Sequence, residues 1–180
     1  MRTAMETAQW LGYLTSGEVE LVWELAGNLP QDAVVVGIGA GAGTHTLAIL
    51  EMTEDCIIFS IDIRCGEHPE LTSEHLRLAE AGYAGTGHVV RIWGDSKIVG
   101  KRWPIPVDFL FVDGDHEEAG ITGDIQEWVR HVKANGVFAF HDYGASPWPA
   151  VKKMVDKFAK REGWIHVKTV DALIVFRKEE

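Results

Sequence analysis

Eight polar side chains stand where alternating strand-helix proteins do their chemistry, directly behind short apolar runs. Asp62 follows CIIFSI, Asp95 and Ser96 follow HVVRIWG, Asp113, Asp115 and His116 follow VDFLFV, and His141 and Asp142 follow VFAF. Burial alone would not select such residues, because unpaired charge is costly to desolvate. Ahead of them, VVVGIGAGAGTHT carries four alternating glycines, Gly37, Gly39, Gly41 and Gly43, between an apolar run and a helical segment at Thr44–Thr53. A glycine turn feeding a helix lets a ligand approach free backbone amides, which points to a nucleotide-type cofactor. Asp62, one β-α unit later, then has the position of an acid that accepts hydrogen bonds from ribose hydroxyls. Asp95 could meet an adenine amino group, or be a turn residue before Ser96. Plainer roles exist for several of these residues. Asp113 and Asp115 could stabilise a helix start, and Asp142 could form an Asx-turn.

The elements that must hold these residues can be read from periodicity. Thr15–Glu18 forms a capping box ahead of a helix with Val19, Val22, Trp23, Leu25 and Ala26 on one face, stopped by Gly27, Asn28 and Pro30. Strands are expected at Ala33–Ile38, Ile57–Ile63, His88–Trp93, Val107–Val112 and Val137–Phe140. Leu71 and Leu76 resemble a hydrophobic staple around a helix ending near Gly82. Ile121, Ile125, Trp128, Val129 and Val132 mark a helix that Asn135-Gly136 would end, and Pro149 opens the next. Trp164–Val170 and Ala172–Arg177 read as an antiparallel pair about Asp171. This order predicts one α/β domain over residues 1–180, a mostly parallel sheet with helices on both faces, and residues 1–30 as a helical segment packed on the core. Ligands in such sheets bind beyond the carboxyl ends of the strands.

Composition narrows the function classes. The chain has 180 residues, 46% hydrophobic and 24% charged, with a formal net charge of −10. That charge argues against general binding to nucleic acid or anionic lipid. No apolar run approaches the ~20 residues that span a bilayer, and the start of the chain lacks a secretion signal. Cys56 and Cys65 flank an extended run that would hold them roughly 20–30 Å apart, too far for a disulfide. A reducing, cytoplasmic setting fits. The lysines of the Pro149 helix read as a solvated face, and Trp10, Tyr13 and Leu14 as packing residues.

GIGAGAGTHT, FVDGDH, NGVFAFHDY and the closing hairpin together resemble the class I S-adenosylmethionine-dependent methyltransferases, in particular small ones with DGDH and HDY strand ends. The resemblance runs from about Leu14 to Arg177. It implies a Rossmann-like seven-stranded sheet with an antiparallel last strand. It also implies a cofactor site of Gly37, Gly39, Gly41, Gly43, Thr44, Asp62, Ile63, Asp95, Ser96 and Asp113, with Asp113 beside the sulfonium. The family usually carries an acid where this chain has Gly37. Metal-dependent relatives imply a divalent ion at Asp113, His141 and Asp142, where the histidine makes magnesium a poorer fit. The implied activity is O-methylation of a small hydroxylated acceptor, with Asp115, His116 and His141 as candidate bases, His141 through a pKa near the working pH. A non-catalytic cofactor-binding or scaffolding domain is the alternative. An NAD-binding oxidoreductase is a further one, since GIGAGA also satisfies GxGxxA and Asp62 suits it. The acceptor's identity, and whether copies of the chain form a homo-oligomer, are not legible.

Overall fold

The computed structural model describes residues 3–11, 13–53, 55–63, 74–83 and 88–179. Seven strands form one sheet: β1 (Ala33–Ile38), β2 (Cys56–Asp62), β3 (Val89–Trp93), β4 (Val107–Val112), β5 (Val132–Phe140), β6 (Ile165–Val170) and β7 (Leu173–Arg177). Their order is β3-β2-β1-β4-β5-β7-β6. The first five are parallel, and β7 runs antiparallel between β5 and β6. The expected architecture is therefore present, with strand bounds shifted by about a residue in β2, β3, β6 and β7.

Helices cover both faces because successive strand residues point opposite ways and both sets are apolar. Val35, Phe109 and Phe111 pack beneath α1 (Ala4–Leu11), α2 (Ser16–Ala26), α3 (Thr44–Met52) and α4 (Glu74–Glu80). Val36, Leu110 and Phe138 pack beneath α6 (Glu118–Trp128) and α7 (Pro149–Glu162). The N-terminal helices thus lie on the core, and α2 begins with the anticipated capping box. Cys56 is a free, buried thiol, and Cys65 and Leu71 lie outside the described residues.

Two expectations are corrected. Val132 does not continue the helix, and Asn135-Gly136 does not end it. The helix stops at Trp128, a short 3-10 turn follows, and β5 starts at Val132, which pairs with Val107. The register then shifts before Val137 meets Phe109, so Asn135, at φ 62°, sits in an irregularity inside the strand. Its N–H bonds the Lys178 carbonyl at 3.0 Å, and Gly136 accepts from Lys178 N–H at 3.0 Å. Asn tolerates this left-handed conformation, and the sequence signal of a helix stop and of a bulge is the same. The second correction is α5 (Ser96–Lys101), absent from the periodicity because it is only six residues long and contains Gly100.

Candidate active site

The sheet order reverses between β1 and β4, and the loops there diverge to leave a crevice. Backbone bonds carry the ladder one residue past each strand. Gly39 N–H reaches Ile61 O at 2.9 Å, Asp113 N–H reaches Ile38 O at 2.9 Å, and His141 N–H reaches Val112 O at 3.0 Å. Gly94 N–H bonds Asp62 O at 2.9 Å. The strand tips are thereby locked side by side around a cavity of about 750 Å³. Gly39, Gly41, Thr44, Asp62, Ile63, Asp95, Ser96, Asp113, Asp115, His116, His141 and Asp142 all line it. Gly37 and Gly43 do not.

The glycine turn is demanded by the backbone. Gly39 has φ +80°, and a Cβ there would stand 1.9 Å from the Asp113 carbonyl oxygen. Gly41, at φ +47°, has open space beside it, and its N–H donates to Asp62 Oδ2 at 3.2 Å. Gly43, at φ +79°, caps α3 from behind, where a Cβ would strike Glu74 Cγ at 2.7 Å. Glu74 itself is buried and accepts from Thr46, Ser60 and Arg91.

Gly37 has a partner that sequence reasoning missed. A Cβ at 37 would lie 2.6 Å from Nε2 of His45, whose ring stacks on Phe111 at 4.6 Å between centroids. The space an acid at 37 would use is filled by this imidazole, and burial pulls its pKa down. His45 Nε2 and Thr44 Oγ1, both in the first turn of α3, are buried without a hydrogen-bond partner among the described residues. A glycine in place of an acid was the signal that something else occupies the space.

At the far side of the crevice Asp95 caps α5, accepting Lys97 N–H at 2.8 Å. Ser96 O–H donates to Asp124, a second missed residue, which is 2% exposed. Burial pushes the Asp124 carboxyl up to about 6, with the Ser96 bond offsetting part of the effect. A carboxylate on the apolar stripe of Ile121, Ile125 and Trp128 was the sequence signal.

The β4 and β5 tips bring together two histidines and two aspartates. His116 Nε2 lies 2.8 Å from Asp142 Oδ2 and 3.5 Å from Asp113 Oδ1, and its ring stacks on Trp148. Bonds to Asp113 and Asp142 push its pKa up to about 9. His141 Nδ1 lies 3.1 Å from Asp113 Oδ1 and 3.6 Å from Asp142 Oδ2, and its Nε2 lies 3.4 Å from Glu18 Oε2. Burial would lower the His141 pKa, but bonds to Asp113, Asp142 and Glu18 outweigh it and push the pKa up to about 12. The expected near-neutral His141 is therefore corrected, because acids face both of its nitrogens. The Asp142 and Asp113 carboxyls are held below the usual range; burial opposes this, but bonds from the two histidines prevail. Ligand atoms of Asp113, His141 and Asp142 lie within 4.8 Å of one another, a spacing that fits a divalent ion with one nitrogen and two oxygen donors. Asp115 is exposed on the cavity wall, outside this network, and its Oδ1 accepts Glu117 N–H at 3.0 Å. Tyr13 and Leu14 also line the cavity, so the N-terminal segment supplies part of its wall as well as packing. No described helix is long and apolar enough to cross a membrane.

Residues 36–143, more than half of the chain, match the family of methyltransferase domains. An uncharacterised protein of Acanthamoeba polyphaga mimivirus is 26% identical over 133 residues, 69% of this chain and 60% of that protein. Among solved structures, the O-methyltransferase TomG from Streptomyces achromogenes, in complex with S-adenosylmethionine, superposes with a TM-score of 0.72 at 18% identity, covering 98% of this chain and 88% of TomG. The MycE methyltransferase, with magnesium and S-adenosylhomocysteine, gives 0.66 at 16% identity over 99% of this chain and 54% of MycE. At these identities the likeness is one of fold. With the sheet order, the glycine turn and the family match in agreement, the chain belongs to the methyltransferase domain family and has the class I S-adenosylmethionine-dependent fold.

Proposed function

We propose that the chain transfers a methyl group from S-adenosylmethionine to a hydroxyl of a small acceptor. The observation that carries the reading is the cavity at the β1/β4 switch point, with glycine backbone and Asp62 on one side and the Asp113–His116–His141–Asp142 cluster on the other. TomG, an O-methyltransferase of tomaymycin synthesis, and MycE, from mycinamycin biosynthesis, share this fold and support the acceptor class.

In this reading Gly39 and Gly41 let the donor lie against bare backbone, and Asp62 accepts from its ribose hydroxyls. Thr44 Oγ1 meets the donor's polar end at the start of α3. Asp95 and Ser96 border the adenine, beside apolar Ile63. When bound, S-adenosylmethionine supplies an electrophilic methyl group, so that a C–O bond forms, the C–S bond breaks and its electron pair stays on sulfur. Charge is largely neutralised in this step, so alignment and exclusion of water are the chain's main contributions. Asp115 takes the acceptor's proton. His116, stacked on Trp148, holds Asp142 in place. Asp113, His141 and Asp142 would hold a divalent ion, which would lower the pKa of the acceptor hydroxyl. Incubating the chain with S-adenosylmethionine, divalent ions and a panel of hydroxylated acceptors tests the reading. Acceptor-dependent formation of S-adenosylhomocysteine is expected, and its absence across the panel would count against catalysis.

A further inference from the structure

His141 turns its two ring nitrogens to different places. Nδ1 faces Asp113 and Asp142, while Nε2 faces Glu18, a residue of α2 that is 1% exposed. Glu18 is held independently of His141. Its Oε2 accepts Thr15 N–H at 2.8 Å, and its Oε1 accepts Ala172 N–H at 2.9 Å. An ionised carboxylate can only accept, so the ring nitrogen facing it carries a proton. Asp113 Oδ1 faces Nδ1 in the same way, so the metal-free ring carries a proton at both nitrogens, and a metal ion at Nδ1 would displace that proton while Glu18 keeps the one at Nε2.

We propose that Glu18 is the outer carboxylate of a metal site at Asp113, His141 and Asp142, and that by holding Nε2–H it makes this site prefer an imidazole-accepting divalent ion over magnesium. A carboxylate behind a ligating histidine fixes the tautomer and ring orientation and strengthens the nitrogen donor. Magnesium prefers oxygen ligands and keeps its waters, whereas cobalt, nickel, iron and zinc accept imidazole. His141 would offer Nδ1 to such an ion once its proton there has left to solvent, so binding would release one proton. Glu18 is thus a positioning residue, in addition to its part in the α2 cap.

The inference rests on the metal reading of this site, and its test needs no turnover. The full chain is titrated with cobalt(II), followed by visible absorption, and with magnesium, followed by calorimetry. Glu18→Gln should weaken cobalt binding by about 10–100-fold and change the cobalt spectrum. Thr15→Ala disrupts the same helix cap but leaves the Glu18 carboxylate, so it should leave cobalt affinity unchanged. His141→Asp should lower the cobalt-to-magnesium affinity ratio by at least about tenfold, and Glu18→Gln should add nothing in that background. Equal cobalt affinity in the wild type and a folded Glu18→Gln, or an equal loss in Thr15→Ala, would overturn the proposal. If Glu18→Gln does not fold, the His141→Asp ratio decides, and an unchanged ratio overturns it. A chain that binds cobalt as stated but not S-adenosylhomocysteine would leave this inference standing and sink the methyltransferase reading.

Discussion

The two walls of the crevice are built from different materials. The β1 wall is backbone: Gly39 and Gly41 have positive φ, and Gly39 tolerates no side chain because the Asp113 carbonyl occupies the space. The β4–β5 wall is side chain: His116, His141, Asp113 and Asp142 hold one another through ion-paired hydrogen bonds. The glycines of the first wall fix shape and carry no side chain to tune. The second holds ionisable groups whose protonation and partners can change without moving the strands. In the proposed reading the backbone wall suits a methyl donor shared by a whole family, and the side-chain wall suits acceptors that vary between members.

Substitutions on the two walls should separate these roles. Gly39→Val should abolish binding of S-adenosylhomocysteine in calorimetry, because it adds backbone strain of about 1–2 kcal/mol to a clash with Asp113 O. Retained affinity would show that the β1 wall is more plastic than this comparison allows. On the opposite wall, Asp115→Ala should keep that affinity and slow turnover by about 10²–10⁴-fold in a single-turnover assay. A loss of affinity instead would merge the two walls into one function.

Gly37→Ala sharpens the boundary between shape and chemistry. Its Cβ would press on His45 Nε2, so it should destabilise the chain by about 1–3 kcal/mol in urea unfolding. Adding His45→Ala should relieve part of that cost, and strictly additive losses would show that the two residues do not share the space. The smallest effect belongs to Asp124. Its folded pKa, pushed up to about 6, lies above the ordinary aspartate value of about 3.9. Its contribution to stability is therefore complete below that ordinary value and is lost as pH rises through about 6. Asp124→Asn keeps an acceptor for Ser96 and should remove this loss, leaving the variant about 1–2 kcal/mol less sensitive to pH between 4 and 7.

The central strands were legible because each contains a short apolar run ended by a glycine turn or a polar residue, while β6 and β7 were legible as a pair about Asp171. The strand-end residues were legible for the same reason, since Asp62, Asp113 and His141 break those runs abruptly. What escaped notice depends on contacts between distant parts of the chain. Glu18 read as a helix cap, and nothing near it announces His141, 123 residues later. His45 read as one more residue of a helix, and its role emerges only where its ring fills the space above Gly37. The bulge at Asn135-Gly136 was misread because a left-handed asparagine followed by glycine ends a helix and kinks a strand equally well.

Calorimetric titration of the full chain with S-adenosylhomocysteine addresses the central claim most directly, since it asks whether the crevice at the β1/β4 switch is a donor site. The account predicts one site per chain in the wild type and no heat of binding in a folded Gly39→Val chain. Absence of binding to the wild type, or undiminished binding to the variant, would contradict it.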